Sequence, residues 1–125
     1  MVFWLVIVSD AKAINVVSGC IGDGVIDHQE LKSLYMGTPV MLNGKQHHVI
    51  YQDLSGVASF EFASKILNVS TFELENGLKR TYNGRRNLVS YVPNDLRVWE
   101  ELKIRQCAIG YQLIPSVGVI ISRLK

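Results

Sequence analysis

The chain has 125 residues, a formal net charge of +2, two cysteines, three prolines and 48% apolar residues. That length fits one domain with its own core, and the apolar share with so little proline excludes wholesale disorder. A charge this close to neutrality does not by itself imply nucleic acid as a partner, and the absence of Cys-x-x-Cys excludes a thioredoxin motif or a zinc ribbon.

Taken in chain order, the sequence opens on an apolar run, Val2 to Val8, followed by Ser9-Asp10 and the small-x-small triplet Ala11-Lys12-Ala13. A short apolar stretch ahead of such a triplet is how a secretory signal ends, so residues 1–13 are expected to be removed and a single domain to occupy 14–125. No Lys or Arg precedes the run, and a buried β-strand is the competing reading of the same residues. Ile14 to Ser18 reads as a first strand ending at Gly19. Asp27-His28-Gln29-Glu30 is a capping box, opening a helix with Leu31, Leu34 and Tyr35 on one face and a stop at Gly37. Asn43-Gly44 is a hairpin-type turn between Pro39–Leu42 and His47–Gln52, and Val49 to Tyr51 forms a strand running into Asp53-Leu54-Ser55-Gly56. A helix follows from Gly56 to Leu67, with Phe60, Ala63, Ile66 and Leu67 at helical spacing. Ser70-Thr71-Phe72-Glu73 is a second capping box, with its helix reaching about Arg80. A strand over Leu88–Val92, a helix capped by Pro93-Asn94-Asp95 and carrying Leu96, Trp99 and Leu102, a strand over Cys107–Leu113 and a last strand over Val117–Ser122 complete the chain. Strands alternating with helices make this an α/β domain, a mixed sheet flanked by helices.

Several clusters carry possible chemistry. Asp23 to Leu31 imitates half of a calcium loop, but the first and third ligand positions fall on Gly19 and Ile21, which offer no side-chain oxygen. His47 and His48 are neighbours, so on a strand they point to opposite faces and cannot share one metal; no metal site is expected. Cys20 and Cys107 either pair, as an oxidising compartment allows, or sit as two buried thiols. Buried thiols are the slightly favoured expectation, since pairing demands close Cα atoms and the sequence supplies no distance. Lys79-Arg80 and Arg85-Arg86 flank Tyr82 and read as a solvated helix end, an anion contact or a minor nucleic-acid patch. Glu100-Glu101 reads as a solvated acidic pair. Neither a Gly-x-Ser-x-Gly, a Walker loop nor a His-Glu-x-x-His is present, so catalysis finds no motif.

Leu34-Tyr35-Met36-Gly37 with Asn43-Gly44, then Tyr82-Asn83-Gly84-Arg85, then Cys107-Ala108-Ile109-Gly110-Tyr111 occur in an order and spacing that resembles the small, phosphate-type members of the periplasmic substrate-binding protein superfamily. The resemblance implies a reduced type II periplasmic-binding-protein-like domain, exported to the periplasm, without enzymatic activity or cofactor. Its ligand would be a small oxyanion, with phosphate first, and its partner a membrane transporter or sensor. It implies an anion held by Ser55 and Gly56 at a helix start, with Ser18 and Arg85 contributing. The general physics is that unsatisfied N–H groups at a helix N-terminus attract phosphate. Val57, Ala58 and Ser59 stand where such relatives often carry Thr or Arg. A ligand-free envelope accessory protein that keeps the fold is the alternative.

Overall fold

The computed structural model describes residues 14–20, 25–116 and 120–124; the expected signal segment, residues 1–13, lies outside them. The elements in order are β1 (Asn15–Ser18), β2 (Val25–Ile26), α1 (His28–Tyr35), β3 (His48–Gln52), α2 (Val57–Glu61) running into a π-helical turn (Phe62–Leu67), α3 (Thr71–Arg85), a 3-10 turn (Arg86–Leu88), β4 (Val89–Val92), α4 (Asp95–Ile104), β5 (Ala108–Gln112), β6 (Ile120–Ile121) and β7 (Arg123–Leu124). Among the described residues the main sheet has the order β4-β3-β5-β1-β6, and β2 pairs with β7 in a second, two-stranded sheet. β3 runs parallel to both β4 and β5, whereas β1 runs antiparallel to β5 and β6. This is a mixed sheet flanked by helices, as the alternation of elements implies.

The residues explain the layers. Along β3, Val49 and Tyr51 enter one buried cluster with Tyr35, Phe62, Leu67, Leu74 and Tyr111, while Ile50 enters the other with Val98, Leu102 and Ala108. Successive strand side chains point to opposite faces, so α1, α2 and α3 cover one face and α4 the other. The larger cluster is built on aromatics: Phe62 stacks on Tyr111 with centroids 4.0 Å apart, and Tyr35 meets both edge-on. Their hydroxyls are all used. Tyr35 donates to the Ile50 carbonyl at 2.9 Å, Tyr51 donates to the Tyr35 carbonyl at 2.8 Å, and Tyr111 accepts the Gln52 N–H at 2.9 Å. Buried hydroxyls without partners would cost about 1–3 kcal/mol each. Where α1 meets α3, a Cβ on Gly77 would lie 1.9 Å from the Tyr35 carbonyl oxygen, so only glycine permits that approach.

Both helices start where the sequence places them, with the reciprocal capping box complete at Ser70 and only its Asp27 half formed at the first. The Asp27 carboxylate accepts from the Gln29 and Glu30 N–H groups, and Ser70 and Glu73 exchange reciprocal bonds. Strand β1 precedes the Asp27 turn, and Ile21 to Gly24 lie outside the described residues.

Other expectations need correction. Cys20 and Cys107 are bonded as a disulfide with Cα atoms 5.2 Å apart; they extend the β1–β5 register two residues beyond the pair Ser18–Ile109, so the antiparallel ladder itself brings them together. The hairpin at Asn43-Gly44 shrinks to one bridge, Leu42 to Lys45, around two residues in left-handed conformation. The π-helical turn shifts the face of the second helix, burying Phe62 and leaving Phe60 59% exposed. α4 buries Val98 and Leu102 rather than Leu96, and α3 continues through Gly84 to Arg85. Of the last strand, Ile120–Ile121 forms β6 and the residues before it lie outside the described set.

Candidate functional site

The parallel strands β4, β3 and β5 give the sheet two edges, one at their carboxyl ends and one at their amino ends. β3 has five residues, so at about 3.3 Å per residue the edges stand roughly 15 Å apart.

Ser55 and Gly56 lie at the carboxyl edge, where Gly56 is the N-cap of α2. Asp53 occupies that turn. Its Oδ1 accepts the Ser55 N–H at 3.0 Å and the Ser55 hydroxyl at 2.8 Å, and these bonds from Ser55 hold its carboxyl below the usual range. The groups expected to meet an anion therefore already hold one. Asp95 stands at the same edge, where its carboxylate takes the Gln52 side-chain amide at 2.7 Å and the Leu113 and Ile114 N–H groups at 3.1 and 3.0 Å. A depression of about 410 Å³ between the starts of α2 and α4 is lined by both aspartates, with Val57 and Leu96 on its rim. Open α/β sheets ordinarily bind ligands outside the carboxyl ends of their strands. Here that crevice presents two carboxylates to any incoming anion.

Ser18 and Arg85 do not join Ser55 and Gly56. Ser18 pairs with Ile109, level with Val49 near the amino end of β3, and its hydroxyl is buried with no hydrogen-bond partner among the described residues. Arg85 closes α3 just before β4 and donates to the Gly37 carbonyl at 3.2 Å, while Arg80 donates to the Met36 carbonyl at 2.8 Å. Both arginines thus satisfy the carboxyl end of α1, where orphan carbonyls attract cations. Lys79 pairs with Glu75, and Arg86 lies over the Tyr82 ring at 4.9 Å.

The amino edge holds a larger groove, about 620 Å³, lined by Lys45, Gln46, His48, Arg105, Gln106 and the disulfide. Every strand entering the parallel core contributes from its approach segment, and no carboxylate is among the described lining residues. Behind the rim, Ser90 donates to Glu101 Oε1 at 2.6 Å, and the Ser90 hydroxyl lies 2.6 Å from His48 Nε2. Arg105 Nε reaches the same Glu101 oxygen at 3.1 Å. Burial alone would raise the Glu101 carboxyl, but the Ser90 and Arg105 hydrogen bonds outweigh it and hold the group below its usual range. Glu101 is not the solvated residue the sequence suggests. Desolvation and the Arg105 charge press His48 toward its neutral form.

His47, immediately before β3, meets different partners from His48. Its Nδ1 lies 2.9 Å from the Lys45 carbonyl, which requires Nδ1–H, and its Nε2 lies 3.3 Å from Cys20 Sγ. Burial, opposed by the hydrogen bond to Lys45, holds its pKa below the usual value. Neither histidine is a simple polar residue beside a turn: His47 is 2% and His48 7% exposed.

Comparison with family models, with curated proteins and with solved structures finds no match to this chain.

Proposed function

We propose that this chain is a reduced, type II periplasmic-binding-protein-like module that binds a small oxyanion, phosphate first among the candidates, in the groove at the amino edge of the sheet. The observation that carries this reading is electrostatic. Lys45, Arg105, Gln46 and Gln106 line the groove, with no carboxylate among its described lining residues, whereas Asp53 and Asp95 guard the opposite edge. Arg105 shares its charge with Glu101, so one full cation and part of another face the ligand. A bidentate guanidinium and an ammonium suit a tetrahedral oxyanion. A disulfide supports an oxidising compartment such as the periplasm, and delivery of the anion to a membrane transporter or sensor is the role that fits. No enzymatic step is part of this reading.

Isothermal calorimetry with phosphate and with sulfate tests it. The wild type should bind in the millimolar range or tighter, and the pair Lys45→Ala with Arg105→Ala should weaken binding about tenfold or more, the loss expected when hydrogen bonds to a charged ligand disappear. A second reading, an accessory protein acting through a partner protein, is favoured by the exposed Val57, Leu96 and Ile114 at the carboxyl edge, 65%, 56% and 73% exposed. Silence in calorimetry at millimolar phosphate and sulfate would leave that reading in place of the first.

A further inference from the structure

We propose that reduction of the Cys20–Cys107 disulfide converts this corner of the groove into a three-ligand site for a zinc-class divalent cation, with both thiolates and His47 Nε2 as ligands. The inference does not rest on anion binding. It rests on the arrangement of three side chains whose ligand atoms all lie within 4.8 Å of one another.

His47 carries the argument. Its Nδ1–H is committed to the Lys45 carbonyl, so Nε2 presents a lone pair to Cys20 Sγ at 3.3 Å. A disulfide sulfur has no hydrogen to give, so in the oxidised protein that buried acceptor faces an atom that cannot donate to it. Reduction supplies S–H groups, and a metal ion satisfies the lone pair outright. Donation of the second ring N–H to a backbone carbonyl is also the arrangement that orients a metal-bound histidine. Zinc binds sulfur at about 2.3 Å and nitrogen at about 2.0 Å, which sets tetrahedral ligands roughly 3.5 Å apart; Cys20 and His47 already stand at that separation. Two thiolates and an imidazole select a zinc-class ion over magnesium or calcium. Because Cys20 and Cys107 line the groove, the fourth position opens onto it.

The chemistry balances with an external dithiol as reductant. One of its thiolates attacks a disulfide sulfur, its second thiol resolves the mixed disulfide, and the reductant leaves as its own disulfide. The protein gains two electrons and two protons. Binding of the cation then releases both thiol protons to solvent.

Cobalt(II) is the probe. Protein reduced with a dithiol and freed of it without air should take up one cobalt ion, with a near-ultraviolet thiolate-to-cobalt band and the visible bands of a tetrahedral site; oxidised protein should show neither. His47→Gln should weaken uptake by about tenfold or more, while His48→Gln should not. Should His47→Gln fail to fold, the rate at which iodoacetamide alkylates reduced wild type decides: zinc should slow modification of Cys20 and Cys107 together. A reduced wild type without the thiolate band, equal uptake by oxidised protein, a folded His47→Gln that binds as well as wild type, or alkylation indifferent to zinc would each overturn the proposal.

Discussion

The two edges of the parallel sheet solve opposite problems with the same kinds of residue. At the carboxyl edge Asp53 and Asp95 neutralise the backbone N–H groups of the Ser55 turn and of the strand exit after β5. That edge is saturated by its own chain. At the amino edge Glu101 sits behind the surface and is shared by Ser90 and Arg105, so the rim, as far as the described residues form it, remains cationic. The contrast teaches that a turn at a strand end is an anion site only if no carboxylate occupies it first. Position in the fold offers the site, and one aspartate two residues upstream withdraws it.

The largest way to break this comparison is to untie the amino edge. The disulfide closes a separation of 87 residues, and its loss should cost about 2–5 kcal/mol in urea unfolding of the Cys20→Ser, Cys107→Ser pair. The carboxyl edge has its own tie, and Asp95→Ala, which removes the acceptor of the Leu113 and Ile114 N–H groups and leaves the Gln52 amide only its bond to the Tyr111 carbonyl, should cost about 1.5–3 kcal/mol by the same measurement.

Acid should separate the edges further. Glu101 is held below the ordinary glutamate value of 4.5, so the folded state prefers it ionised and the unfolded state binds the proton more readily. Its contribution is therefore present above about pH 4.5 and is lost as pH falls through its depressed folded value. Thermal unfolding from pH 6 to pH 3 should show a fall in melting temperature that is shallower in Glu101→Gln. The smallest effects belong to the Ser55 turn. Ser55→Ala should change stability by less than about 1 kcal/mol, because Gly56 rather than Ser55 is the N-cap and no side chain caps α2. Asp53→Asn should leave the fold intact and allow phosphate a weak contact there that wild type lacks, visible as new shifts on Ser55 to Ala58 in a phosphate titration.

Much of the scaffold was legible because its signals are local. The capping residues Asp27, Ser70 and Asn94 each fix a helix start through a side chain reaching two or three residues ahead. The exposed Phe60 and Leu96 were misplaced because periodicity assumes an unbroken 3.6-residue turn and an even choice of face; the π-helical turn and the packing of Val98 on the sheet override both. The site was less legible. Ser55, Gly56, Ser18 and Arg85 are separated by the sheet, and that separation depends on strand direction, which no residue announces. The Cys20–His47–Cys107 corner was missed for the same reason. Cys20 follows β1 and Cys107 precedes β5, so the clue is visible only once those strands are known to run antiparallel in that register.

The central claim is that the amino edge is the ligand side of this domain. An amide-resolved phosphate titration by NMR tests it most directly, following wild-type backbone resonances to millimolar concentration. The account predicts saturable shifts confined to Lys45 to His48 and Arg105 to Cys107, abolished together by Lys45→Ala with Arg105→Ala. Saturable shifts centred on Ser55 to Ala58 in the wild type, with Lys45 and Arg105 unmoved, would contradict it.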